Sequence, residues 1–361
     1  MTGIPANRWL NWTGPSPAAL VDRFRALRRP GASPSDRRSV GLDALRVLAA
    51  GLVVFAHTRN ELGWATLPLP VGGWNAGEPG VAIFFVLSGY LLWRPFVAGS
   101  PDRGRYLINR LARILPAYWL ACLVLVPVIG GDLARYLTFT QGDLNAVGVS
   151  WTLQAEMAFY IVLPFLALVR RPLLVPIVLG IASLGFEALV TVNNQGGGIA
   201  ERLIMVRFWQ FAPGMILAAI AVRQSRTWLV AGVGLMAFAA ALQPVLPESL
   251  GQLRSVPIEV AATCLIAWGI YARPPLAGLW AAGAAISYAV YLWHADLLHL
   301  FGVWALGLVV AVASASYLLL ERPVLRLAKR WGTAHAPERP NEASALVAIE
   351  GTGARLEPTN P

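Results

Sequence analysis

The sequence predicts an all-α, polytopic membrane protein of about ten transmembrane helices, with both termini in the cytoplasm. Three observations lead there. Of 361 residues, 57% are hydrophobic and 13% charged, against about a quarter charged in an ordinary soluble domain. Apolar runs of about 18 to 20 residues recur along the chain, enough to cross a hydrocarbon core about 30 Å thick. The basic residues, which give a net charge of +10, gather in alternate connections, the bias that orients a membrane protein. Topology thus accounts for the charge, and no nucleic acid is expected as a partner.

The elements follow in order. Residues 1–40 are polar, Pro-rich and basic. They read as a cytoplasmic segment, because no short apolar stretch with a small-residue cleavage site precedes the first long run. The membrane domain is expected over 41–330. Ten spans fall at 43–62, 80–98, 114–130, 151–169, 173–191, 203–222, 227–245, 256–271, 279–298 and 302–320. With the N-terminus inside, the inner connections carry most of the arginines, and Arg322, Arg326, Lys329 and Arg330 follow the last span. The outer connections hold Arg59, Arg135, Arg202 and Arg254, partly balanced by acidic residues. Residues 331–361 lack periodicity and read as a disordered cytoplasmic tail. Cys122 and Cys264 lie inside apolar runs and have neither disulfide nor metal spacing, so no metal is expected. The single lysine, Lys329, among 29 basic residues points to a GC-rich bacterial genome, hence a multi-pass protein of the bacterial inner membrane.

Ionisable groups inside spans cost about 2.5–3.5 kcal/mol each on insertion scales and mark protein interiors or aqueous sites. They are Arg46, His57, Glu156, Glu187, Arg207, Glu259, His294, Asp296 and His299. Arg46 and His57 stand eleven residues apart, close to three full turns, so they share one stripe about 16 Å long. Arg46 also reads as an anchor that snorkels to the interface, and His57 as a headgroup contact. Glu156, in WTLQAEMAFY, is expected at the depth of His57, where a carboxylate would orient the imidazole and raise its basicity. The competing reading is a glutamate favoured by a helix N-terminus.

The stretch WRPFVAGSPDRGRYLINRLARILPAYW, residues 93–119, packs five arginines around a tight loop. Arg110 and Arg113 are three apart on one helical face, and bidentate guanidiniums suit phosphate oxygens. Loop orientation and anionic headgroups explain any single arginine equally well. Late in the ninth span, ISYAVYLWHADLLH places Tyr291 and His294 on one face; the aromatics alone would also fit an interfacial belt.

GLDALRVLAAGLVVFAH, GVAIFFVLSGYLLWRPF, RYLINRLARILPAYWLA, WTLQAEMAFYIVLPFL, ISYAVYLWHADLL and the ERP at 321–323 together resemble the acyltransferase 3 family of bacterial integral-membrane O-acyltransferases. The six stretches keep the family's order and cover residues 41 to about 323. The resemblance implies an acyl-CoA donor, with acetyl-CoA the commonest, and a hydroxyl acceptor on a sugar, polysaccharide, glycolipid or macrolide. The family's Arg-x10-His falls on Arg46 and His57, its arginine pair on Arg110 and Arg113, and its Trp-Ser-Leu-x-x-Glu on Trp151, Thr152, Leu153 and Glu156, with Thr for Ser. The expected site therefore has His57, Glu156 and Arg46 as catalytic groups. Arg110, Arg113 and Arg94 hold the donor, and Trp151, Tyr160, Tyr291 and His294 contact the acceptor. Membrane lipids surround it, and a separate extracytoplasmic partner would be needed for any second transfer. The longest outer loop, 131–150, is the first candidate for acceptor contact. The rival reading is a transporter or exporter of a glycan or acylated small molecule, which predicts broken helices paired between two halves; no such pairing is visible.

Overall fold

The computed structural model describes residues 39–61, 77–99, 102–141, 146–192 and 207–334. Residues 1–38, 62–76, 100–101, 142–145, 193–206 and 335–361 lie outside the described residues, among them the N-terminal segment, most of the expected tail and two of the expected outer loops. Among the described residues a helix overlaps each of the ten expected stretches: α1 Val40–Glu61, α2 Gly77–Gly99, α3 Arg103–Ile129, α4 Ser150–Leu166, α5 Leu174–Val192, α6 Phe208–Ala219, α7 Thr227–Leu242, α8 Val256–Gly269, α9 Ala277–Phe301 and α10 Ala305–Ser316. A π-helical turn, Tyr317–Glu321, leads from α10 into α11, Arg322–Ala334, which carries the helix past residue 330, where the tail was expected to begin.

Among the described residues seven helical stretches are long and apolar enough to cross a membrane, Ala277–Arg330 counting as one, and Phe208–Ala219 is a shorter apolar helix. The apolar surface faces outward: Ile181 is 68% and Val230 71% exposed. Glu187, Glu259, His294 and Asp296 are buried. A soluble protein has the reverse arrangement. In a bilayer it is the favourable one, because lipid tails solvate the apolar exterior and charge is expensive there.

Small residues set the spacing of the bundle. α2 packs against α1, α6 and α8, and α1 against α9. Where α2 crosses α6, a Cβ on Gly89 would sit 2.1 Å from the Phe211 carbonyl oxygen, and one on Gly214 would sit 1.9 Å from that of Val86. Backbones touch at this crossing, the close approach that small residues permit between membrane helices.

α3 differs most from expectation. It starts at Arg103, where Asp102 caps it by accepting from the Arg105 N–H at 3.2 Å. Arg110 and Arg113 are one turn apart, as their spacing predicts, within a 27-residue helix that begins well before the expected span at 114. The described part of loop 131–150 is also not open. Tyr136, Ala146 and Val147 are fully buried, and Phe139 stacks on Tyr118 at 4.2 Å. Tyr118 donates to the Tyr136 carbonyl (2.8 Å), and Gln154 Nε2 donates to that of Phe139 (3.2 Å). These bonds clamp the segment onto α3 and α4, so its described backbone serves packing.

Candidate active site

α1, α2, α3, α4 and α9 enclose a cavity of about 360 Å³, within the usual range of small-molecule sites. Helical periodicity delivers its lining. Thr152, Glu156 and Tyr160 recur every four residues on α4, and Arg110 and Arg113 are three apart on α3. Arg46 enters from α1, Ser88 from α2, and Ser287, Tyr288 and Tyr291 from α9. Three guanidiniums thus share the cavity with one carboxylate.

Glu156 is held through one oxygen. Its Oε1 accepts from the Tyr160 hydroxyl at 2.5 Å and from Ser88 Oγ at 3.0 Å. Arg46 lies 4.0 Å from Asp43, one turn earlier. Arg110 stands over the Tyr106 ring at 5.6 Å, and its buried Nε has no hydrogen-bond partner among the described residues. An unmet guanidinium N–H in a pocket of like charges suits an anionic ligand group. Tyr291 bonds Thr152 hydroxyl to hydroxyl at 2.8 Å, tying α9 to α4, and Tyr288 donates to the Ile114 carbonyl at 3.0 Å, tying α9 to α3.

His57 sits apart from this cluster. It does not line the cavity, and the expected pairing with Glu156 is not formed. Its Nδ1 is 3.0 Å from the Val53 carbonyl oxygen and 3.2 Å from His294 Nε2, with the two rings edge to face at 4.8 Å. The physical reason is azimuth: equal depth on two helices does not make two side chains face each other, and Glu156 turns toward the arginines. Tyr291 joins the two groups, since its ring lines the cavity while its carbonyl oxygen lies 2.8 Å from His294 Nδ1.

The remaining expected residues separate. Tyr160 and Tyr291 line the cavity; His294 is fully buried and lies outside the lining. The Arg94 guanidinium lies over the Tyr90 ring at 5.5 Å, away from the cavity. Trp151 is not part of the lining either; Arg207 covers its ring at 4.4 Å. Behind Arg207 lies a buried polar layer absent from the sequence-based site. There Gln210 donates to Glu259 at 2.8 Å, Gln243 donates to Glu78, and Arg254 donates to the Gln243 carbonyl at 2.6 Å. Ser88 was also missed. Its signal was available: it is the one hydroxyl in the run Val81–Gly89. Among the described residues no group of three or more metal-ligating side chains comes together.

A membrane bundle that encloses cationic side chains, a held carboxylate and a histidine pair has the parts of a membrane-embedded transferase. Comparison with known proteins specifies which kind. Residues 39–320 match the family model described as "Acyltransferase domain", and the chain belongs to this acyltransferase 3 family. It is similar to "Nodulation protein 10" of Rhizobium leguminosarum bv. viciae, 27% identical over 81% of this chain and 96% of that protein. It is also similar to "Putative membrane-bound transacylase BcsY" of Komagataeibacter xylinus, 29% identical over 94% of each chain. A third relative is "Exopolysaccharide production protein ExoZ" of Rhizobium meliloti (strain 1021), 30% identical over 69% of this chain and 90% of that protein. No solved structure matches the chain. The protein is a multi-pass membrane acyltransferase.

Proposed function

We propose that this acyltransferase moves an acyl group, acetyl in the simplest case, from acyl-CoA to a hydroxyl of a carbohydrate or glycosylated acceptor. The observation that carries the reading is the gathering of Arg46, Arg110 and Arg113 around Glu156 in one cavity, next to a histidine pair. A phosphate-bearing donor is the ligand chemistry such a cavity suits. A relative named for exopolysaccharide production supports a carbohydrate acceptor, and one named as a transacylase supports acyl transfer. The chain crosses the bacterial inner membrane ten times with both ends inside, so the donor enters from the cytoplasm by the arginines. The acceptor arrives from the opposite face, near Trp151.

The reaction runs as follows. His57 takes the proton of the acceptor hydroxyl as its oxygen attacks the thioester carbonyl carbon. The C–S bond breaks, and the sulfur leaves with the electron pair. The proton held on His57 passes to that sulfur, giving the acyl ester and free CoA thiol. Arg110 and Arg113 hold the donor's anionic groups, and Glu156 keeps the guanidiniums oriented. Purified protein in nanodiscs, given acetyl-CoA and a panel of methyl glycosides, should release free thiol faster with an acceptor than without. His57→Ala should abolish the acceptor-dependent release while the protein still folds; undiminished release would end the assignment of His57 as base.

A further inference from the structure

His57 and His294 meet across α1 and α9, and the backbone around them settles which nitrogen carries each proton. His294 Nδ1 lies 2.8 Å from the Tyr291 carbonyl oxygen. A carbonyl only accepts, so His294 Nδ1 carries the hydrogen and, in the neutral ring, Nε2 carries the lone pair. That Nε2 faces His57 Nδ1 at 3.2 Å. His57 Nδ1 must therefore donate. It faces a second acceptor as well, the Val53 carbonyl oxygen at 3.0 Å. The other His57 tautomer would bring three lone pairs together with no proton between them. Both ring nitrogens of His294 are thus committed within the protein, and its side chain is fully buried, which leaves it nothing to offer an acceptor sugar.

We propose that His294 is a positioning residue for His57: through its Nε2 it holds the His57 ring in the Nδ1–H tautomer and so leaves His57 Nε2 as the basic nitrogen. The proposal rests on the reading of His57 as the base. It reassigns to a neutral imidazole the task the sequence suggested for Glu156. When His57 takes the acceptor proton on Nε2, its Nδ1–H remains pointed at His294, and that bond becomes charge-assisted. The partner therefore interacts more strongly with the state formed during reaction than with the resting state, which is what a catalytic contribution requires. Tyr291 couples this pair to the cavity, because its carbonyl accepts from His294 while its hydroxyl meets Thr152.

The chain has four histidines, few enough for imidazole nitrogens to be resolved by 15N-histidine NMR of the full-length protein in bilayers. Signals are assigned by their loss in His57→Gln and His294→Gln. Wild type should show both residues as neutral Nδ1–H tautomers; a His57 signal in the Nε2–H form would overturn the proposal whatever the activity data say. In thiol release from acetyl-CoA, His294→Leu should lower kcat on the order of 10²-fold with KM unchanged. His294→Gln, whose amide oxygen can accept where Nε2 stood, should recover most of that loss. If His57→Ala is inactive while His294→Leu and His294→Gln both match wild type, the positioning role falls and His57 remains the base. If His57→Ala is active, the base assignment falls first and takes this proposal with it.

Discussion

Replacing Gly214 with alanine tests how the cavity is held open. The added Cβ would lie 1.9 Å from the Val86 carbonyl oxygen and 2.6 Å from the Tyr90 nitrogen. Both are backbone atoms of α2, so no side chain can swing away. Restoring an ordinary contact of 3.4 Å requires α2 and α6 to part by about 1.5 Å. Ser88 sits between Val86 and Tyr90 on α2, so a shift of α2 by that distance disturbs its 3.0 Å bond to Glu156. A bond to a charged acceptor contributes about 1.5–3 kcal/mol, and overpacking costs about 1–3 kcal/mol. The variant should therefore lose on the order of 3–5 kcal/mol in total, and reacting groups misplaced by an ångström cost about 10²-fold in rate. Thermal unfolding in detergent and thiol release from acetyl-CoA read the two effects. Gly234→Ala on α7 is the control, since a Cβ there meets nothing within 4 Å; it should leave both readings at or above wild type. A Gly214→Ala protein that melts and turns over like wild type would refute the close crossing and its link to Ser88.

Two further substitutions probe the cavity itself. Tyr160→Phe keeps the ring and removes the 2.5 Å bond to Glu156; turnover should fall about 10- to 100-fold, the equivalent of about 1.5–3 kcal/mol, and an unchanged rate would mean that the orientation of Glu156 is irrelevant to the reaction. Arg110→Ala should raise KM for acetyl-CoA about 10-fold or more through loss of a charge-assisted contact. Arg94→Ala, on a side chain stacked over Tyr90 outside the cavity, should leave KM near wild type, and the opposite ranking would move the donor site out of the cavity.

The ten apolar runs were legible because hydropathy depends on composition alone, and among the described residues a helix overlaps each of them. The beginning of α3 was not, because Arg103, Arg105, Arg110 and Arg113 lower its hydropathy while leaving its helical propensity intact. Within the site, periodicity placed Arg110 with Arg113 and Tyr291 with His294, since those pairs are neighbours along one helix. It could not say which helix each face meets. Arg46 and His57 do share a stripe of α1, yet Arg46 faces the α3–α4 side with its arginines and carboxylate, and His57 meets α9. The structure sets His57 beside His294 and Glu156 beside Tyr160 and Ser88, neighbours that periodicity cannot foresee, because rotation about the helix axis relative to a partner is a property of tertiary packing.

That arrangement has an electrostatic logic. A bundle this apolar can afford few buried carboxylates, and each is worth most beside the largest concentration of opposite charge, because Coulomb energy grows as the dielectric falls. Arg46, Arg110 and Arg113 concentrate three positive charges in one cavity; Glu156 is the carboxylate among its described lining residues, and Asp43, 4.0 Å from Arg46, adds to the offset from outside the lining. Spending the carboxylate there leaves His57 to be oriented by something else. A second imidazole does so without adding a buried charge, since in its neutral form it accepts through one nitrogen and donates its own N–H to the Tyr291 carbonyl. The separation also keeps the two ends of the site chemically distinct, with the charged end suited to hold an anionic donor and the neutral end able to accept a proton and release it again.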